Sequence, residues 1–260
     1  LFSCLSLLAM VTFSNAQIFT EPFDYAPGDT LASVGWDIQS TGGSNPNPIT
    51  VGASSLVFPQ YSPTAIGGSA VSTGNGQDVN KYFGPITSGS VYASFLLRVD
   101  TIGGSGYFFH FMDSAQTSSY RARTFFQVDA SNPNALNLGL TFNNSTGVYD
   151  TTEFAIGSTI LVVAKYTIVS GLDNDLVSLY AFDATGSFTT EPAIPLLGPV
   201  AGTQNDIDPA RIALRQFNSG NDFTVDAFSV STTWNMSPTF TLAQIDLPIT
   251  WDDTANVNYT

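Results

Sequence analysis

From Ile18 to Trp234, apolar and polar residues alternate with a period of two, as expected of strands that bury one face and turn the other outward. Residues 90–100 put Val91, Ala93, Phe95, Leu97 and Val99 on one face, with Tyr92, Ser94, Leu96 and Arg98 on the other. Residues 107–112 are apolar on both faces, which predicts a central strand covered on both sides. In that strand His110 shares a face with Phe108 and Met112, while Tyr107, Phe109 and Phe111 take the opposite one. Further strands are predicted over 121–128, 136–142, 160–169, 176–182, 211–217 and 223–233. Gly103-Gly104, Asn132-Pro133-Asn134, Asn143-Asn144, Asp173-Asn174-Asp175 and the 218–221 segment separate them with turn chemistry. No stretch shows a convincing amphipathic helical period. Many strands without helices predict an all-β, two-sheet antiparallel β-sandwich of the jelly-roll kind.

The two ends break the pattern. Residues 1–13 are almost continuously apolar and uncharged, and Ser14-Asn15-Ala16 supplies small residues at the −3 and −1 positions of a cleavage site. Residues 1–16 therefore read as a signal peptide truncated at its start. Residues 17–236 read as the sandwich. After Trp234 the composition shifts, and 237–260 reads as a linker and the start of a second, truncated β module. The alternative is a terminal strand folding back onto the first sandwich.

Composition narrows the function classes. At 43% hydrophobic and 13% aromatic the chain has ample material for a core. Only 11% is charged, against about a quarter in ordinary globular proteins, so the surface is built from Ser, Thr, Asn, Gln and Gly. The formal charge of −14 argues against nucleic acid, which needs a basic field, and disfavours anionic membrane surfaces. No apolar stretch beyond the leader approaches the length of a membrane span. The single cysteine, Cys4, falls in the leader, so the mature chain has no disulfide. An exported chain without disulfides suits bacterial secretion to the cell surface or medium.

A resemblance is carried by several stretches. They are the 19–25 segment leading into Gly28 and Gly35-Trp36, then Gly89-Ser90-Val91-Tyr92-Ala93-Ser94-Phe95 and Val162-Val163-Ala164-Lys165-Tyr166. Residues 171–180, 212–216 and 225–234 complete the order. Together they resemble the concanavalin A-like, or laminin-G-like, modules of large secreted multidomain proteins from Bacteroidetes and planctomycetes. The resemblance implies a jelly-roll sandwich, an extracellular location and further domains of the same chain. The superfamily includes lectins, adhesion modules and glucanases, so it does not settle the activity.

Candidate chemistry is sparse. A retaining glycosidase needs two carboxyl groups about 5 to 5.5 Å apart; Glu21, Glu153 and Glu191, the only glutamates, are isolated in sequence. The glucanase-type Glu-x-Asp-x-x-Glu strand is missing. His110, the only histidine, lacks a partner for a zinc site. Calcium, which takes hard oxygen ligands, is the ion best matched to eighteen aspartates concentrated at turns. Asp173, Asn174, Asp175, Asp206 and Asp208 are the candidate ligands, with Asn221-Asp222 third. The same residues are also ordinary turn formers that bond their own backbone. For glycan binding, flat aromatics near turns are needed for stacking, and Trp36, Tyr61, Tyr120 and Tyr149 are the candidates. Arg121 and Arg123 read as sharing a strand face, able to meet an acidic ligand or to pair with Asp113 and Asp129. The sequence thus points to a secreted, non-catalytic binding or adhesion module for polysaccharide or surface glycan. The competing readings are a structural spacer repeat and an accessory domain of a polysaccharide-degrading enzyme.

Overall fold

The computed structural model describes residues 17–239, apart from 44–45, 62–64, 203–204 and 218–219. The segment read as a leader, and 240–260 of the segment read as a second module, lie outside the described residues. Residues 237–239 return to the start of the first strand, where Gln17 and Thr239 exchange hydrogen bonds of 2.7 and 2.8 Å between amide side chain and backbone.

In chain order the strands are β1 (Gln17–Glu21), β2 (Asp37–Ser40), β3 (Thr50–Gly52), β4 (Ser69–Thr73), β5 (Asp78–Tyr82), β6 (Gly89–Thr101), β7 (Gly106–Met112) and β8 (Arg121–Val128). They continue as β9 (Ala135–Thr141), β10 (Val148–Tyr149), β11 (Phe154–Ala155), β12 (Thr159–Ile168), β13 (Leu176–Phe182), β14 (Leu197–Ala201), β15 (Arg211–Leu214) and β16 (Asp222–Ser231). The only helical element among the described residues is one 3-10 turn, Leu31–Val34. All pairings are antiparallel. The first sheet runs β14-β13-β12-β6-β16-β4-β3 with β1 also on β16, and the second runs β10-β9-β8-β7-β15-β5-β2 with β11 also on β9. This is the predicted two-sheet antiparallel sandwich of the jelly-roll kind.

The alternation read from residues 90–100 decides how the sheets face each other. Val91, Ala93, Phe95, Leu97 and Val99 point into the sandwich, where Phe95 meets Phe108, Phe109 and Phe228 at ring distances of 4.7 to 6.1 Å. Each such buried ring contributes about 1.5–3 kcal/mol by leaving water. The opposite residues of the first sheet, Tyr92, Leu96, Leu161, Val163 and Tyr180, are not left to solvent. Leu56, Phe58, Tyr61, Phe188 and Met236, from the loops beyond the strands, close over them as a second apolar cluster. Asp226 anchors one covering loop, accepting from the Ser55 hydroxyl and the Leu56 N–H at 2.6 Å each. Glu191 anchors the other, accepting from Lys165, Tyr180 and Tyr92 at 2.7 to 2.8 Å.

In β7 the predicted two-face division is corrected. The β7–β8 register shifts between Tyr107 and Phe109 and again between Phe109 and Phe111. Phe108, Phe109 and Phe111 therefore all enter the sandwich core, and His110 is left on the other side. A bulge adds a residue and re-aims the side chains beyond it, which a strict period of two cannot anticipate.

Candidate functional site

The outer face of the second sheet gathers polar and aromatic side chains from neighbouring strands. On β15, Ile212 and Leu214 enter the core, so Arg211 and Arg215 take the outward side together with Asp78 and Asn80 of β5. Arg123 of β8 and Tyr107 and His110 of β7 continue the row, and Asp37 and Gln39 of β2 close it. Because β7 lies between β8 and β15, Tyr107 is flanked by two guanidiniums. Arg123 lies 4.9 Å and Arg215 4.3 Å from its ring centre, within cation–π range. Tyr120, at the end of the β7–β8 loop, lies 4.3 Å from the His110 ring and 5.5 Å from the Arg123 guanidinium.

Electrostatics mark the face. Burial pushes the Asp78 carboxyl up to about 6, against the opposing pull of the Gln216 N–H and Arg215. His110 is fully buried, and burial, reinforced by the charges of Arg123 and Arg215, holds its pKa well below the usual imidazole value. The Gln39 amide nitrogen lies 3.3 Å from His110 Nε2. With that amide donating, the ring is neutral and carries its proton on Nδ1.

Buried polar atoms nearly always find a partner. Among the described residues five buried side-chain atoms have none, and three of them, Gln39 Oε1, His110 Nδ1 and Arg123 Nε, belong to this face. Each orphaned group costs about 1–3 kcal/mol. Such a concentration is a mark of residues kept for something other than stability. Arg211 is bound by Asp37 at 2.6 Å and Asn80 at 2.7 Å. Arg215 has Asp78 at 4.0 Å. No hydrogen bond or ion pair reaches the Arg123 side chain among the described residues.

Of the four aromatics proposed as stacking platforms, Tyr120 and Tyr149 lie half-buried on this face. Tyr149 packs on Phe125 with ring centres 6.2 Å apart. It sits so close over Gly139 that a Cβ there would come within 2.8 Å of its ring. The expectation of exposure is corrected for the other two. Trp36 is in the sandwich core, stacked on Phe23 at 5.9 Å, with its indole N–H donating to Glu21 at 3.2 Å. Gly35, in the left-handed region at φ 91°, ends the 3-10 turn just before it and reverses the chain. Tyr61 lies under the loops of the first sheet, its hydroxyl donating to the Ala227 carbonyl at 3.0 Å. A ring enclosed on both faces cannot stack on a sugar. The residues that sequence reasoning missed are Tyr107, which sits in a Phe-rich run that reads as core, and Arg215, Gln39 and Asp78. The alternation of Arg211, Ala213 and Arg215 was the available signal.

Arg121 and Arg123 do not share a face as predicted. Ala122 between them adopts φ 50° and bulges the strand. Arg121 turns to the carbonyls of Asn205 and Tyr120 and over the Phe142 ring, and Arg123 turns outward to Tyr107. The expected partners are engaged elsewhere. Asp129 accepts from Ser131 and Asn132, and Asp113 accepts from Thr117.

The predicted calcium ligands are brought together in part. Asp175, Asp206 and Asp208 line one groove of about 320 Å³. Asp206 accepts the backbone N–H groups of Asn174 and Asp175 at 3.0 and 3.2 Å. Asp175 is buried and accepts from the Tyr166 hydroxyl at 2.6 Å and the Val169 N–H at 2.7 Å. Asp173, at φ 57°, and Asp208 are exposed. Among the described residues no group of three or more His, Cys, Asp or Glu side chains is arranged to hold a metal ion. The carboxylates of Asp175 and Asp206 accept from backbone and hydroxyl donors and so clip this loop, as turn aspartates do.

No family model and no curated protein matches the chain. Solved structures resemble it at low identity. An endo-1,3-beta-glucanase from Streptomyces sioyaensis is 10% identical with a TM-score of 0.45, covering 90% of this chain and 100% of its own. An alginate lyase from Alteromonas sp. 272 is 12% identical with a TM-score of 0.42, covering 78% and 96%. The receptor-binding domain of botulinum neurotoxin type G is 10% identical with a TM-score of 0.43; the match covers 86% of this chain but only 49% of that one.

Proposed function

We propose that this chain is a secreted, non-catalytic module that binds glycan on the outer face of its second sheet. The observation that carries the reading is the Tyr107 ring flanked by the Arg123 and Arg215 guanidiniums, beside buried polar groups that lack partners. A sugar offers apolar C–H faces to an aromatic ring and hydroxyls to guanidinium and amide groups, which is the mixture this face presents. The non-catalytic part of the reading is supported by the separate tasks of the three glutamates. Glu21 bonds Phe23, Tyr25 and Trp36, Glu153 accepts from Asn132, and Glu191 anchors its loop. A module of this kind keeps further domains of the same chain near their substrate, because tandem weak sites raise effective concentration.

The test is a pull-down of the full chain on a panel of soluble and insoluble polysaccharides, repeated with Tyr107→Leu and with chelator. Binding lost in the variant, with its melting temperature kept, supports the reading. Binding to no glycan transfers the function to a structural spacer, and binding indifferent to Tyr107 overturns the assignment of the glycan site to this face.

A further inference from the structure

The charges on this face are not balanced. The chain carries only seven Lys and Arg against 21 Asp and Glu, yet three of its arginines, Arg123, Arg211 and Arg215, share this surface. Two carboxylates, Asp37 and Asp78, answer them, and both lie on the Arg211 and Arg215 side. The charged or titratable groups that bear on Arg123 are Tyr107, Tyr120, His110, Arg121 and Arg215, with no carboxylate among them. Its side chain lies beside the Tyr107 and Tyr120 rings, and its N–H donors meet no acceptor among the described residues. One positive charge is therefore unmatched, half-buried and beside a tyrosine ring.

We infer that the glycan carries carboxylates, as a uronate polymer does, and that Arg123 receives one of them while Tyr107 packs against the sugar ring. The inference rests on the reading of this face as the glycan surface. A carboxylate is planar with two acceptor oxygens and meets the guanidinium fork in two parallel hydrogen bonds, a match that a neutral hydroxyl cannot make. The rest of the molecule opposes a polyanion more strongly the denser its charge. A formal charge of −14 repels it at range, and that repulsion fades only beyond a screening length of about 10 Å at 0.1 M salt. A single unmatched guanidinium in such a field suits carboxylates spaced along a chain better than closely packed sulfates.

The experiment measures binding of the full chain to polygalacturonate, to the same polymer with its carboxyls reduced to alcohols, and to dextran and dextran sulfate. Wild type, Arg123→Gln and Arg123→Lys are compared after a melting check. Polygalacturonate is expected to bind about tenfold more tightly than its reduced form. Arg123→Gln is expected to remove that difference, and Arg123→Lys, a point charge without the fork, to restore only part of it. Equal binding of native and reduced polymer overturns the carboxylate inference while leaving the glycan reading intact. Tighter binding of dextran sulfate than of polygalacturonate also overturns it, in favour of sulfate. No binding to any of the four polymers defeats the glycan reading itself. The native-versus-reduced comparison in wild type decides the matter even where a variant fails to fold.

Discussion

The two sheets of the sandwich share one core but treat their outer faces in opposite ways. On the first sheet, Tyr92, Leu96, Leu161, Val163 and Tyr180 are sealed by loop residues, and the anchoring carboxylates of Asp226 and Glu191 have partners for both oxygens or for the whole group. On the second sheet, arginines and tyrosines stand in the open positions, and three buried polar atoms have no partner. One face is built mainly for stability: its carboxylates close loops, and Ser229 Oγ is its one buried polar atom without a partner among the described residues. The other keeps groups whose bonding is incomplete within the chain, as the proposed glycan surface requires.

The contrast can be broken most forcefully on the sealed face. Phe188 packs on Phe58 and Phe182 at 5.7 and 5.5 Å, and Phe188→Ala is expected to destabilise by about 3–5 kcal/mol in denaturant unfolding. A loss below about 1 kcal/mol would mean that the covering loops are not part of the core.

Asp226 gives a pH signature to the same face. Burial raises its pKa from 3.8 to about 7, so the folded state holds the proton more tightly than the unfolded one. Its contribution to stability is therefore full below about pH 4 and is lost as pH rises to about 7. Asp226→Asn lacks this dependence, so its melting temperature relative to wild type is expected to rise between pH 4.5 and 7.5. A constant offset across that range would contradict the raised pKa.

On the open face, Gly139→Ala drives a Cβ to within 2.8 Å of the Tyr149 ring and is expected to cost about 1–3 kcal/mol while displacing Tyr149 from Phe125. Tyrosine fluorescence and a melting curve check both effects. A smaller stability change, about 1 kcal/mol or less, is expected for Arg123→Gln, because the side chain gives up two ring contacts but no hydrogen bond. Chelator is expected to leave the melting temperature unchanged, since Asp175 and Asp206 bond backbone and hydroxyl donors. A fall in melting temperature with chelator would restore calcium to the 173–208 groove.

Much of the fold was legible. The strand over residues 121–128 matches β8 residue for residue, the 176–182 strand matches β13, and the face division of residues 90–100 matches the core. Reading failed where backbone geometry departs from strict alternation: at the register shifts of β7, which separate His110 from Phe108, and at Ala122, which sends Arg121 and Arg123 apart. The candidate site was legible in Tyr120, in Tyr149 and in Arg123 as a residue able to meet an acidic ligand, but not in Tyr107, Arg215 or Asp78. Trp36 and Tyr61 look alike in sequence, as aromatics beside Gly and Pro, but long-range contacts with Phe23, Glu21 and Ala227 bury them.

By itself the sequence determined the fold class, because period-two alternation with turn residues between strands leaves the chain no other way to bury its apolar half. It also determined an acidic, weakly charged surface with few groups able to do chemistry. Only the tertiary structure decided which outer face is sealed and which is open, and that Tyr107, Arg123 and Arg215 meet. Tyr107 and Arg123 come from β7 and β8 and Arg215 directly follows β15, and pairing across a sheet is set by register and bulges that no local pattern records.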